Sequence, residues 1–108
     1  MKYIEENFKK REKKSRRNYS IDDSLYIKLE EFSKIYDASV ADFVNAAIEH
    51  LIKTENIVLY KKPEYEITIL HAFHIRESNI AGLENLNNKY SVSINKLVNI
   101  AIRNILSD

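Results

Sequence analysis

The sequence predicts a mainly helical protein with a two-stranded antiparallel β-ribbon, made of two units that form an intramolecular pseudo-dimer. Three observations lead to this fold class. The chain has 108 residues, enough for one small domain; it contains an internal repeat; and each repeat has the hydrophobic periodicity of a short strand followed by two helices. One glycine, one proline and no cysteine exclude glycine-rich nucleotide loops, disulfide frameworks and cysteine-liganded zinc.

The repeat has an offset of 54 residues. Residues 17–54 align without gaps on residues 71–108, and ten of the 38 aligned pairs are identical. A unit of about 38 residues is too small to fold alone. We therefore expect the two strands to pair antiparallel while the four helices cover one face of the ribbon. The identical pairs are Ile21/Ile75, Ser24/Ser78, Leu29/Leu83, Glu30/Glu84, Tyr36/Tyr90, Ser39/Ser93, Val44/Val98, Asn45/Asn99, Ala47/Ala101 and Ile48/Ile102.

A short strand opens each unit, because residues expected to face the core alternate there with residues expected to face outward. In the first unit the inward residues are Arg17, Tyr19 and Ile21, and the outward residues are Arg16, Asn18 and Ser20. In the second unit the inward residues are His71, Phe73 and Ile75, and the outward residues are Leu70, Ala72 and His74.

Two helices follow each strand. Asp22 or Asp23 can cap the first helix, which is expected to end near Asp37. Ser39 begins the second helix, with Asp42 completing a capping box. In the second unit Ser93 is the expected cap, and Lys96 replaces the acid. The apolar stripes of these helices are Leu25, Leu29, Phe32 and Tyr36; Phe43, Val44, Ala47, Ile48, Leu51 and Ile52; Ile80, Leu83, Leu86 and Tyr90; and Leu97, Val98, Ala101, Ile102, Ile105 and Leu106.

The charge distribution separates a basic N-terminal arm from the body of the chain. Residues 1–18 carry a net charge of +5 and residues 19–108 a net charge of −4. Such clusters bind polyanions by neutralising phosphates, although many only keep a protein soluble. The predicted organisation is an arm at 1–15, a first unit at 16–54, a linker at 55–66 and a second unit at 67–108.

The linker is unusually apolar around residues 57–60. This composition predicts either an extra strand or a packed segment before Pro63. Two roles stay open at this point: an edge for oligomerisation between pseudo-dimers, or a linker held over the core.

The order of strand, helix and serine-capped helix resembles the ribbon-helix-helix family of DNA-binding proteins, of the Arc and MetJ type, over about 76 of the 108 residues. The family pattern is an apolar residue closing the strand, a leucine eight positions later, and a serine opening a helix with an apolar-apolar-x-x-Ala-Ile run. The chain departs from it by lacking the usual proline after the strand and the usual glycine in the turn. The matching residues are Ile21, Leu29, Ser39, Phe43, Val44, Ala47 and Ile48, and Ile75, Leu83, Ser93, Leu97, Val98, Ala101 and Ile102.

The resemblance implies that the ribbon enters the major groove of DNA and that the N-terminus of each second helix faces a phosphate. The residues that it places against base edges are Arg16, Asn18, Ser20, Ala72 and His74, with Leu70 limited to apolar contact. The residues that it places against phosphates are Ser39, Val40, Ser93 and Ile94. For the basic arm we expect phosphate contacts from Lys9, Lys10, Arg11, Lys13 and Lys14.

The second strand offers fewer polar side chains than the first. Either the ribbon binds an asymmetric site with most specificity from the first strand, or the outward face of the second strand packs against another segment.

The predicted function is sequence-specific binding of double-stranded DNA, with a transcriptional repressor as the first interpretation. The alternatives are an accessory DNA-binding factor of a conjugative plasmid relaxosome and an antitoxin-like protein-interaction module. Expected partners are double-stranded DNA, further pseudo-dimers on the same DNA, and a protein such as a relaxase.

Enzymatic activity, a cofactor and a metal site are not expected. Ser39 and Ser93 fit helix caps, and His71 and His74 point to opposite faces of a strand. The charged N-terminal sequence does not resemble a signal peptide, and no apolar run approaches the roughly 20 residues that span a membrane. We therefore expect a cytoplasmic protein without a membrane partner.

Overall fold

The computed structural model of the chain describes residues 12–107, and within them the order strand, helix, helix occurs twice. The expected two-stranded antiparallel sheet with four helices is confirmed. The strands extend beyond the expected alternation, and β1 begins two residues before the predicted unit boundary. The elements are β1 (Lys14–Asp22), α1 (Asp23–Tyr36), α2 (Val40–Thr54), β2 (Thr68–Arg76), α3 (Glu77–Tyr90) and α4 (Ile94–Leu106).

The two strands pair in a register centred on equivalent residues of the repeat. Asn18 lies opposite Ala72, and the ladder runs from the pair Lys14–Arg76 to the pair Asp22–Thr68. The inward face is apolar and contributes four buried side chains to the core, namely Tyr19, Ile21, Phe73 and Ile75.

Arg17 departs from the expected inward set. It lies opposite Phe73 in the ladder, but its side chain is exposed and its Nη1 donates to the Arg16 carbonyl at 2.9 Å. A guanidinium keeps its hydration by turning back to the surface, because an unpaired charge is costly to bury.

Helices α2 and α4 form the centre of the core and carry the broad apolar faces that their sequences predict. Phe43, Val44 and Leu51 of α2 are fully buried, as are Leu97 and Ile102 of α4. Helices α1 and α3 lie further out and bury narrower stripes. Their last stripe residues, Tyr36 and Tyr90, are respectively 36% and 40% exposed, so these stripes stop short of the helix ends.

The helix ends follow the predicted signals at both serines. Ser39 Oγ accepts from the Asp42 amide at 3.1 Å while the Asp42 carboxylate accepts from the Ser39 amide at 3.3 Å, which is the expected capping box. Ser93 Oγ accepts from the Lys96 amide at 3.2 Å. The turns before these helices contain Asp37 and Ser91 in the left-handed conformation, with φ of 50° and 55°.

Asp22 occupies the N-cap position of α1, but its side chain makes no capping hydrogen bond. The carboxylate instead accepts from the Tyr60 hydroxyl at 2.7 Å and pairs with Lys62 Nζ at 2.9 Å. Asp22 thus stands at the predicted cap position, but the prediction that its side chain caps the helix is wrong. Two donors from the linker bind its carboxylate instead.

Contacts between the two repeats occur in matched pairs. The Asp23 amide donates to the Ile67 carbonyl at 2.9 Å, and the equivalent Glu77 amide donates to the Lys13 carbonyl at 3.0 Å. Ser24 Oγ donates to Glu66, and the equivalent Ser78 Oγ donates to Glu12 at 2.8 Å. Glu12 and Glu66 are themselves 54 residues apart, so the structural correspondence begins before the aligned segment.

The linker forms no helix or strand between residues 55 and 67, which makes the extra-strand interpretation wrong. Ile57 and Tyr60 pack against the core, whereas Val58 and Leu59 are exposed. The Tyr60 ring lies under the Arg103 guanidinium at 4.1 Å. A linker held over the core describes this segment.

Candidate nucleic-acid interface

The outward face of the ribbon brings the predicted base-contacting side chains together. The register creates three outward pairs: Arg16–His74, Asn18–Ala72 and Ser20–Leu70. All of these residues are exposed except Ser20, which is half-buried. Within a β-ribbon, directly opposed side chains lie about 5 Å apart, so the six residues form one continuous surface.

The outward face of β2 is open along its length. Leu70 is 63% exposed, and Ala72 and His74 are also exposed. No segment among residues 12–107 packs over them, so the alternative of a covered second strand is wrong for the described part of the chain.

Two buried asparagines hold the ribbon onto the helices. Asn45 of α2 donates to the His74 carbonyl at 3.0 Å and accepts from the Arg76 amide at 2.9 Å. Asn99 of α4 donates to the Ser20 carbonyl and accepts from the Asp22 amide, both at 2.8 Å. Each asparagine thus fixes the strand that belongs to the other repeat.

Asn45 and Asn99 are identical in the repeat, but the repeat alone indicates no role for them. An available signal was their position inside otherwise apolar helix faces, because a buried amide requires partners for its donors and its acceptor. The backbone positions of Ser20 and His74 on the outward face depend on these two side chains.

The inward face positions the ribbon through aromatic packing. The His71 ring stacks on Tyr26 with centroids 3.7 Å apart, whereas His74 points to the outward surface. The prediction that the two histidines face opposite sides is confirmed. Burial raises the pKa of Tyr19 and of Tyr26 above the usual value.

The N-termini of α2 and α4 flank the two ends of this surface. Asn95 Oδ1 in the first turn of α4 accepts from the Ser20 amide at 3.1 Å, and α2 reaches the His74 carbonyl through Asn45. First-turn amides have no partner within their own helix, and their partial positive charge attracts anions. The side chains of Val40 and Ile94 pack against the core, so only their backbone amides are suited to a phosphate.

The two helix ends differ in charge. At α2 the Asp42 carboxylate already occupies the helix end. At α4 the equivalent position is Lys96, which lines an open cavity of about 390 Å³ together with Lys62, Ser93 and Ser20. A phosphate is therefore better accommodated electrostatically beside α4. Lys62 could not be predicted from the sequence as part of this site, because its position depends on the path of the linker.

The basic residues at the start of the ribbon lie partly within the described range. Lys13 and Lys14 are exposed, and the Lys13 carbonyl accepts from Glu77 where α3 begins. Lys9, Lys10 and Arg11 lie outside the described residues.

No protein-family model, curated protein or solved structure matches this chain. The ribbon-helix-helix resemblance therefore rests on the residue spacing alone. Across residues 12–107, no helix combines the length and the apolarity that crossing a membrane requires.

Proposed function

We propose that this protein binds double-stranded DNA sequence-specifically by inserting the outward face of its ribbon into the major groove, and that it acts as a transcriptional repressor. The observation that carries the proposal is the open ribbon surface, on which Arg16, Asn18 and His74 stand side by side. These adjacent side chains can all form hydrogen bonds. This composition suits a face that contacts the edges of bases better than a face that contacts only water.

The shape of the ribbon supports this proposal. Two paired strands lie about 5 Å apart, and the major groove is about 12 Å wide, so a two-stranded ribbon with its side chains fits inside the groove. The helices cover only the opposite face, which leaves the outward side chains free to approach base edges.

The chemistry of the outward side chains also supports it. An arginine donates two hydrogen bonds to the O6 and N7 atoms of guanine, and an asparagine pairs with the N6 and N7 atoms of adenine. Arg16 and Asn18 are two positions apart on one strand, so they can contact neighbouring base pairs. Exposed Lys13 and Lys14 and the helix ends at Ser39, Val40, Ser93 and Ile94 would contact the phosphates.

We further propose that the chain is an intramolecular pseudo-dimer of two ribbon-helix-helix units related by an approximate two-fold axis. The register centred on Asn18 and Ala72 supports this arrangement, as do the matched contacts of Asn45 and Asn99. In such an arrangement the ribbon belongs to both units, and neither unit presents a complete binding surface by itself.

The test is selection of bound duplexes from a random library at near-physiological salt. We expect enrichment of a short motif, and we expect the motif to change for Asn18→Ala while Asn88→Ala, an exposed asparagine on α3, leaves it unchanged. The loss for Asn18→Ala on the selected duplex should be about 1–3 kcal/mol, with little loss on random DNA.

Binding without any enrichment would reject sequence-specific recognition and favour a protein-interaction module. A motif that ignores Asn18→Ala would reject the assignment of the ribbon as the reading element. Repression is tested separately by placing the selected motif in a promoter and measuring transcription with and without the protein. An unchanged transcript level would favour the accessory role in plasmid conjugation.

A further inference from the structure

The two ends of the outward ribbon face present different chemistry. In a ribbon of two identical strands, the pair at one end would reappear at the other. Here Arg16 is equivalent to Leu70 in the repeat, and Ser20 is equivalent to His74. One end therefore combines a guanidinium with an imidazole, and the other end combines a hydroxyl with an exposed isobutyl group.

These ends favour different bases. Arg16 suits guanine, and His74 beside it adds a second group able to donate or accept. Leu70 cannot form a hydrogen bond, and its apolar surface suits the methyl group of thymine. The central pair is also unequal, because Asn18 carries an amide and Ala72 only a methyl group.

The helix ends beside the ribbon also differ in charge. The positive charge lies beside the end of the ribbon that has fewer hydrogen-bonding side chains. Near Ser20 and Leu70, Lys96 lines the cavity beside α4, and Lys62 lines it too while its Nζ pairs with the Asp22 carboxylate at 2.9 Å. Near Arg16 and His74, the equivalent of Lys96 is Asp42, whose carboxylate is engaged with the first turn of α2. Hydrogen bonding to bases is concentrated at one end and attraction for the phosphate backbone at the other.

We infer that the protein recognises a non-palindromic duplex and holds it in a single orientation, with the Arg16–His74 end over a guanine-containing step and the Ser20–Leu70 end over a thymine-containing step. This inference rests on the proposed DNA-binding function and specifies its ligand. On an asymmetric ribbon the two orientations of one duplex differ in binding free energy. Turning the duplex end for end places each base pair against a side chain that does not match it.

The experiment compares three duplexes with the full-length protein: the motif selected by the wild type, and two palindromes built by duplicating its left half and its right half. We expect the palindrome that lacks the half contacted by Arg16 to bind at least about tenfold more weakly, since a lost bidentate contact has about that effect. The other palindrome should also bind more weakly than the selected motif, because it places a guanine-containing step under Ser20 and Leu70 and loses the apolar contact with thymine. A selected motif that is itself palindromic, or a palindrome that binds as tightly as the selected motif, would overturn the inference.

A matched variant makes the ribbon symmetric. Leu70→Arg, Ala72→Asn and His74→Ser together give β2 the outward residues of β1, and all three positions are exposed, so the fold is expected to survive. Its thermal unfolding midpoint checks this. The variant should prefer the palindrome built from the half that Arg16 contacts, and an unchanged preference would overturn the inference.

The outcomes separate this inference from the proposed function. A palindromic motif that still depends on Asn18 rejects only the single orientation and keeps the DNA-binding function. Selection that yields no motif, or a motif that Asn18→Ala does not change, rejects the proposed function and with it the orientation.

Discussion

Asn45 and Asn99 are polar residues at the centre of an apolar core. Asn45 is 1% exposed and Asn99 is 4% exposed. Their amides satisfy a carbonyl and an amide at the end of a strand that would otherwise be buried without partners. A missing partner for a buried polar group costs about 1–3 kcal/mol. These residues therefore determine how firmly the ribbon is attached to the helices.

We predict that Asn45→Ala and Asn99→Ala each lower the free energy of unfolding by about 2–4 kcal/mol, because each leaves two strand groups unsatisfied. Chemical denaturation of the full chain measures the change. Asn88→Ala, on the exposed face of α3, is the control and should stay within about 0.5 kcal/mol of the wild type. Equal stability of all three variants would contradict the assigned role.

Tyr60 gives the stability a dependence on alkaline pH. Its hydroxyl donates to the Asp22 carboxylate at 2.7 Å. Burial is the larger cause and this hydrogen bond the next, and both raise the pKa of Tyr60 above its usual value of 10.0. A group whose pKa is raised by folding contributes stability below the unfolded pKa and loses it as the pH rises further. The contribution is therefore complete below about pH 10 and declines above it.

We predict that Tyr60→Phe lowers the free energy of unfolding by about 1–2 kcal/mol at pH 7, since a hydrogen bond to a charged group is lost. The difference from the wild type should shrink as the pH rises above 10, because the tyrosine of the unfolded chain ionises there before that of the folded protein. Denaturant titrations at a series of pH values measure it. Tyr65→Phe, at a residue 87% exposed, is the control and should show neither effect.

The sequence could predict residues whose partners are local, and it was weaker for residues whose partners are distant. Ser39 and Asp42 cap the helix that begins beside them, and their spacing alone is sufficient. Asp22 has the same chemistry, but its partners Tyr60 and Lys62 come from the linker, 38 residues or more along the chain. Local propensity could not reveal that competition.

At the scale of elements, α2 and α4 occupy equivalent positions in the two repeats but carry opposite charges in their first turns. Lys96 and Asp42 occupy the same position in α4 and α2, one residue type attracting phosphate and the other repelling it. Exposed charges near DNA contribute to affinity through counterion release, which makes their contribution dependent on salt.

We predict opposite effects for two equivalent substitutions. Lys96→Ala should weaken binding to both the selected duplex and random DNA and should flatten the log-log salt dependence by up to about 0.9 for one lost phosphate contact. Asp42→Ala should strengthen both interactions, because it removes a carboxylate from the helix end where we propose a phosphate contact.

Fluorescence anisotropy at several salt concentrations measures the two effects. If both variants change the affinity in the same direction, the charge difference between the helix ends does not act on DNA.

The elements also indicate how far periodicity could be used. Alternation and the three-to-four-residue stripes found both strands and all four helices, because a single periodic face is buried in each. Periodicity could not resolve residues 57–60, where four apolar residues fit a strand or a packed loop equally well. The structure buries only part of that run, with Tyr60 covered by Arg103 and Leu59 left exposed.

At the scale of the whole molecule, equivalent positions carry reversed charges. Arg76 Nη1 lies 3.6 Å from Glu49 Oε2, and the equivalents of these residues are Asp22 and Arg103. Under the proposed pseudo-dimer, two copies of the first unit would bring Asp22 near Glu49, and two copies of the second would bring Arg76 near Arg103. Like charges disfavour both self-pairings, so each unit is matched to the other.

We predict that fragments 1–55 and 56–108 are unfolded alone and form a helical one-to-one complex when mixed. Each fragment lacks the strand that its own strand pairs with. Each also lacks the backbone groups that its buried asparagine, Asn45 or Asn99, contacts in the other repeat. Circular dichroism and sedimentation equilibrium measure folding and stoichiometry. A stable folded monomer of fragment 1–55 would reject the pseudo-dimer.

The long sequence separation of the ribbon has a consequence for synthesis on the ribosome. Asn18 pairs with Ala72, so β1 emerges 54 residues before its partner and waits for about 3–10 s at ordinary elongation rates. An unpaired strand is a template for association with neighbouring chains, and positive side chains discourage such pairing. Lys14, Arg16 and Arg17 would keep nascent strands apart during this interval.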